Sequence, residues 1–326
     1  MRNMNIRYLK VAFVMGICVL LASLPYLGVN PYSLHIYTLI GIYIFLSIGL
    51  NIIFGHTGQI SLGHAGFFAI GAYTSAILTA QLGLSFPVAF VCAGLISLVF
   101  GLVVGRACLK LEGPYLAMAT IGFNEIVRMV LIHWEGLSGG PAGISKIPNA
   151  SILGLTLSTT QGKYYLVMVL TILGFICYRN LMKSNYGKQF TAIKENHLAA
   201  QAMGVNTTRM KIIAFGLSTL YAGFGGSLYA HLNNYVAPDA FSFSESLTFL
   251  LIVVLGGMGN ILGPILGSVV LIWVKESLRM LKDYNMLIYG FSLMMLMVFA
   301  PKGFAGINLS FLWRWMAGKN STVSKS

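Results

Sequence analysis

Acidic side chains are nearly missing from this sequence. Eight Asp and Glu stand among 326 residues, and charged residues of both signs make up 9% of the chain. Soluble domains run near 25% charged, so a water-soluble globular protein is excluded. From Val11 to Gly105, 95 residues pass without one Asp, Glu, Lys or Arg. Missing motifs exclude more. No GxxxxGK[ST] loop is present to cradle a nucleotide phosphate, and there is no HExxH and no CxxC pair. The four cysteines (Cys18, Cys92, Cys108, Cys177) lie in or beside apolar segments. They read as small hydrophobes and not as disulfide partners or metal ligands. No catalytic constellation emerges, and no cofactor or metal is called for.

What is present is apolar length, at 57% of residues. A crossing of the bilayer needs about 20 such residues. Nine segments answer to that: Val11–Leu27, Tyr32–Phe54, Gly58–Ala80, Pro87–Val104, Pro114–Trp134, Tyr164–Tyr178, Ile212–Leu232, Leu247–Trp273 and Tyr284–Ala300. The first follows Arg2, Arg7 and Lys10, with no small-x-small cleavage site after its apolar core. It reads as an uncleaved helix with a cytoplasmic N-terminus. Each span is expected to be helical, because a lone segment in lipid has to satisfy its own backbone. The fold class expected is all-α: a polytopic membrane helix bundle of about 8–10 transmembrane helices, forming one transmembrane domain over residues 1–326.

The formal net charge of +13 follows the positive-inside pattern and not the pattern of a nucleic-acid binder. Arg106 and Lys110 then fall in the cytoplasm, as do Arg179, Lys183, Lys188, Lys194, Arg209 and Lys211. Outside lie Glu135–Lys163, with Lys146 and Lys163 its only cations, and Asn233–Ser246, with Asp239 and Glu245 and no cation. Leu247–Trp273 is long for one crossing and short for two. Charge counts do not separate a single span from a bent hairpin, but Gly256-Gly257-Met258-Gly259-Asn260 and Gly263-Pro264 favour the hairpin. Gly55-His56-Thr57-Gly58-Gln59-Ile60 echoes Gly256-Gly257-Met258-Gly259-Asn260-Ile261 as a glycine-rich break followed by an amide. Paired breaks in two halves point to a translocation path between repeats.

Polar residues inside spans are candidates for such a path. Gln59, Ser61 and His64 open the third span, Asn124, Glu125 and Arg128 stand in the fifth, and Asn260 follows the second break. Either they line a path, or they hydrogen-bond helices together. Glu125 and Arg128, at i and i+3, are expected to pair inside the bundle. His35, His133 and His231 sit near span ends, where interface water is expected to meet them. Trp313-Arg314-Trp315 reads as an interfacial anchor. The spacings Gly101-x-x-x-Gly105 and Gly263-x-x-x-Gly267 fit close helix approach.

The loop 184–211 is longer than a linker needs to be. Good helix formers run from Thr191 through Met203, Gly204 ends the run, and Asn206 or Thr207 can cap the next helix. Ala199, Ala200 and Ala202 leave it small enough for another protein to approach closely.

Ala199-Ala200 followed by Gly204 resembles the cytoplasmic coupling loop of ABC importer permeases. The wider chain is similar to LivM-type permeases of branched-chain amino acid ABC transporters. Four blocks carry the likeness, in the family's order: GHTGQISLGHAGFFAIGAYTSAIL from Gly55, LEGPYLAMATIGFNEIVRMV from Leu111, GKQFTAIKENHLAAQAMGVNTTRMKIIAFGLSTLYAGFGGSLYAH from Gly187 and LLIVVLGGMGNILGPILGSVV from Leu250. The pattern departs at one point: Leu198 precedes the alanines where the general pattern has an acidic residue, and Glu195 lies about a turn earlier. The resemblance implies an inner-membrane subunit that carries leucine, isoleucine or valine inward and has no ATPase site of its own. It implies as partners a second homologous permease, two cytoplasmic ATP-binding subunits, a periplasmic substrate-binding protein and membrane lipid. It places Glu195, Ala199, Ala200 and Gly204 at the ATPase contact. A permease for urea or short amides, and an ion-coupled secondary carrier using Glu125, are the alternatives.

Overall fold

The computed structural model describes residues 30–108, 113–152 and 155–277, together with Pro25 and Gly290. The expected spans Val11–Leu27 and Tyr284–Ala300 and the tryptophan anchor lie outside the described residues. Among the described residues there are eleven α-helices, with four two-residue strands forming one hairpin and one long-range pair. This is a helical bundle of membrane type. Five helices are long and apolar enough to cross a bilayer: Pro31–His56, Phe86–Cys108, Pro114–His133, Thr160–Lys183 and Thr207–Asn233.

The first of them, α1 (Pro31–Leu50), starts where the Asn30 side chain accepts from Tyr32 N, with proline in the first turn. It runs on into a π-helical segment, Asn51–His56, that is buried except for Phe54. The sequence places the next helix from Gly58, but α2 spans His64–Ala80, and residues 57–63 are non-helical apart from the first. The break is wider than its glycines suggest, because the loop finds partners on the neighbouring helix: Leu62 N donates to Thr120 Oγ1.

After α2 come α3 (Phe86–Cys108) and α4 (Pro114–His133), then the single turn α5 (Glu135–Ser138). Beyond α5 lie strands β1 (Ile144–Ser145), β2 (Ser151–Ile152) and β3 (Leu155–Thr156), and β2 pairs antiparallel with β3. Helix α6 (Thr160–Lys183) leads into two loop helices, α7 (Asn185–Glu195) and α8 (His197–Ala202). The long α9 (Thr207–Asn233) follows, capped by Asn206 accepting from Arg209 N. Strand β4 (Tyr235–Val236) pairs antiparallel with β1. The described chain closes with α10 (Phe243–Gly256) and α11 (Gly263–Ser277).

Helices α2, α3 and α9 meet backbone to backbone. A Cβ on Gly71 would strike Gly223, one on Gly223 would strike Ala93 and Ser97, and one on Gly226 would strike Phe68. Small residues allow such approach where lipid supplies no hydrophobic drive between helices. Gly101 and Gly105 instead leave room for the side chains of Thr219 and Phe215 of α9.

The hairpin reading of Leu247–Trp273 is the one found. Helices α10 and α11 lie antiparallel, with Gly256 against Gly263 and Gly267 against Ile252. At 14 and 15 residues each is only about 21–23 Å long, short of the ~30 Å hydrocarbon core. Their far ends are tied by Lys275 Nζ donating to Glu245 Oε1 at 3.0 Å, and Tyr43 donates to the other oxygen of that carboxylate.

Candidate functional site

Each glycine break frees backbone groups that a helix would have satisfied, and buried groups of that kind need partners. The two breaks supply them to each other. Asn51, fully buried in the π-helical segment, accepts from Gly259 N at 3.0 Å and donates to Asn260 O at 2.9 Å. It also donates to the Tyr178 hydroxyl at 2.8 Å, which lies 2.9 Å from His56 Nε2. Gly55 and Gly259 touch so closely that a Cβ on either would come within 2.7 Å of the other's backbone. Gly259 has φ +79°, a conformation that favours glycine. From the loop, Lys194 Nζ donates to Gly55 O at 2.7 Å. Segments 200 residues apart in sequence are thus closed into one joint.

Of the polar residues expected to line a path, Gln59 and Ser61 follow the first break directly in sequence, and His64, Asn124 and Glu125 lie farther along the helices. Gln59 and Asn124 are 6% and 0% exposed, and both ends of both amides lack a hydrogen-bond partner among the described residues. A buried amide without a partner costs about 1–3 kcal/mol, so each of these amides would gain from a visiting polar group or water. Asn124 lies against Gly66 of α2. Ser61 is also buried. His64 does something else: its Nε2 donates to Leu46 O and its ring packs edge-on against Phe249, which ties α2 to α1 and α10. The Asn260 side chain accepts from Leu262 N and shapes the turn into α11.

Glu125 is not buried inside the bundle as expected. Its side chain is 41% exposed, because α4 stands at the rim of the described bundle with Met118, Ile126 and Met129 also exposed. The pairing with Arg128 is present but loose, at 3.8 Å, and Arg128 binds Asp239 more closely, at 2.9 Å. His231 likewise departs from the expected wet interface. It is 2% exposed, with Nδ1 donating to Pro148 O and Nε2 lying 3.0 Å from Ser75 Oγ.

The loop carries two helices in place of the one expected from Thr191 to Met203. Asn196 adopts an extended conformation between them, and its side chain accepts from Leu198 N and Ala199 N. An asparagine that caps is a stronger local signal than the helix formers around it. Ala200 is 5% exposed and faces inward, while Glu195, Leu198, Ala199 and Met203 point outward. Gly204 follows at φ +84°.

Asn51, Tyr178 and Lys194 are functional candidates that sequence reasoning passed over. Asn51 carried a signal, since an asparagine inside an otherwise apolar span has to find a partner in the bundle. Lys194 carried none, being one of six cations in its stretch.

The family model for the permease component of branched-chain amino acid transport systems matches residues 32–300. The chain is 38% identical over 314 residues to the LivM permease protein of the high-affinity branched-chain amino acid transport system from Salmonella typhimurium, covering 89% of this chain and 74% of that protein. It is 35% identical to LivM of Escherichia coli over the same shares. A weaker likeness, 27% over 67% of this chain and 63% of the relative, is to the autoinducer 2 import permease LsrC of Salmonella paratyphi B. No solved structure matches. The apolar spans, the paired breaks and the match along nearly the whole chain lead to one conclusion: this protein belongs to the permease components of branched-chain amino acid transport systems.

Proposed function

We propose that this chain is the permease of an ABC importer that moves leucine, isoleucine and valine into the bacterial cytoplasm across the inner membrane. One observation carries the reading: over 89% of its length the chain is similar to relatives named as high-affinity branched-chain amino acid permeases. The ATP is hydrolysed by two separate cytoplasmic subunits, a second homologous permease completes the membrane part, and a periplasmic binding protein delivers the substrate.

The geometry supports a division of roles. The unpartnered amides of Gln59 and Asn124 offer donors and acceptors to the ammonium and carboxylate of a passing amino acid, with Ser61 beside the break and Glu125 at the rim. Neutral amides suit a zwitterion, which brings both signs and no net charge. The outward side chains of Glu195, Leu198 and Ala199 and the turn at Gly204 form the contact for an ATP-hydrolysing subunit, and the inward Ala200 supports it from behind.

The test is to purify tagged permease, identify the subunits that come with it, and measure leucine uptake into proteoliposomes. Uptake is expected only with all subunits and ATP. Uptake by this chain alone under an ion gradient would overturn the proposal in favour of a secondary carrier.

A further inference from the structure

Lys194 touches both glycine breaks from the loop. It stands in the last turn of α7, a helix seated on the bundle through the buried side chains of Phe190 and Ile193. Its ammonium donates to Gly55 O at 2.7 Å. That carbonyl lies in the last turn of the π-helical segment, where the helix end leaves carbonyls without partners and carries partial negative charge. The same side chain lies along Gly58 and Gly259: a Cβ on Gly58 would sit 3.5 Å from Lys194 Cγ, and one on Gly259 would sit 3.2 Å from its Nζ. Gly55 and Gly259 are the residues whose backbones meet where the breaks join. The next residue after Gly58 is Gln59, with its unpartnered amide.

We propose that Lys194 is a positioning residue that latches the joined breaks from the loop side. A displacement of α7 withdraws the ammonium from Gly55 O and lets the breaks part beside Gln59. The bond suits a contact made and broken repeatedly. It is charge-assisted, so it is directional, yet the lysine stem is open to solvent, which keeps it from being too strong to release. The geometry also gives α7 a task distinct from that of α8. Helix α8 presents outward side chains, whereas α7 ends on the joint itself.

The inference rests on the permease reading for its purpose, but its test needs no substrate. In a chain whose four cysteines are replaced by alanine, Gln59→Cys reports on the joint, and Ser227→Cys, buried at the opposite end of the bundle, reports on general loosening. Membrane vesicles are treated from the loop side with an impermeant maleimide, and labelling is normalised to the permease present. Adding Lys194→Met is expected to speed labelling at Gln59→Cys roughly fivefold, the factor a partly exposed charge-assisted hydrogen bond carries. Labelling at Ser227→Cys is expected to stay unchanged, and Lys194→Arg, which keeps a donor, to restore slow labelling at Gln59→Cys. An unchanged rate at Gln59→Cys, or an equal rise at both reporters, would overturn the latch. Failure of the assembled wild-type complex to take up leucine would count against the permease reading alone.

Discussion

Asn51 is the residue on which the joint depends most, because it serves both breaks at once. Asn51→Leu removes the acceptor for Gly259 N, the donor to Asn260 O and the donor to the Tyr178 hydroxyl, a loss of about 1 kcal/mol for each bond. Tyr178→Phe deletes one hydroxyl whose partners can still bond to each other or to water, a loss of about 1 kcal/mol. The expected order of thermal midpoints in detergent is therefore wild type, then Tyr178→Phe, then Asn51→Leu well below. Equal midpoints for the two variants would show that the breaks are held by packing alone. At this scale the sequence disclosed positions better than partners. Gln59, Ser61, His64 and Asn124 are buried, whereas Glu125 and Asn260 are not. Which of them bonds across helices and which is left open depends on contacts between segments 18 to 209 residues apart. His64 finds Leu46 O and Gln59 finds nothing, and no local pattern distinguishes them.

The elements were legible where periodicity and length spoke together, and less so where single capping residues ruled. The crossings at α1, α3, α4, α6 and α9 lie within a few residues of their apolar runs. The loop helices were misjudged because Asn196 splits a run of good helix formers, and this split turns Ala200 inward and Ala199 outward. Two substitutions of identical size then behave differently. Ala199→Trp adds bulk to an exposed face and is expected to abolish co-purification of the ATP-hydrolysing subunit while the permease reaches the membrane in normal amount. Ala200→Trp forces an indole into a packed site, an overpacking of about 1–3 kcal/mol or more, and is expected to lower the amount of permease itself. Quantifying permease and bound subunit from one preparation separates the two effects, and a common loss of permease in both variants would refute the division. Gly204→Val also acts here. A β-branched residue at φ +84° is strained by about 1–3 kcal/mol, and it is expected to reduce subunit binding with little change in the melting of the bundle.

On the scale of the whole molecule, the charged groups at the rim of α4 are weakly held. Glu125 shares Arg128 with Asp239 and is partly exposed, so Glu125→Ala is expected to change the stability of the isolated permease by less than about 1 kcal/mol. Uptake by the assembled complex is expected to fall, because a face of α4 carrying a carboxylate ~16 Å from the helix start is costly to lipid and looks towards protein or water. Glu135→Ala, at the helix end, is expected to leave both unchanged. Equal uptake by both variants would show that the α4 face takes no part in transport.

The glycine contacts among α2, α3 and α9 have a mechanical consequence. At Gly71, Gly223 and Gly226 backbone lies on backbone, and no side chain stands there to change rotamer and absorb a shift, so the three helices behave as a stator. The last turn of α7, residues 257–262 and the π-helical end of α1 are joined instead through a handful of hydrogen bonds, and these are the bearing on which any stroke has to turn. Amide hydrogen exchange should record this as a gradient: slowest in the glycine-packed trio, fastest in residues 57–63 and 257–262. Only that last region should quicken when nucleotide is cycled in the assembled complex.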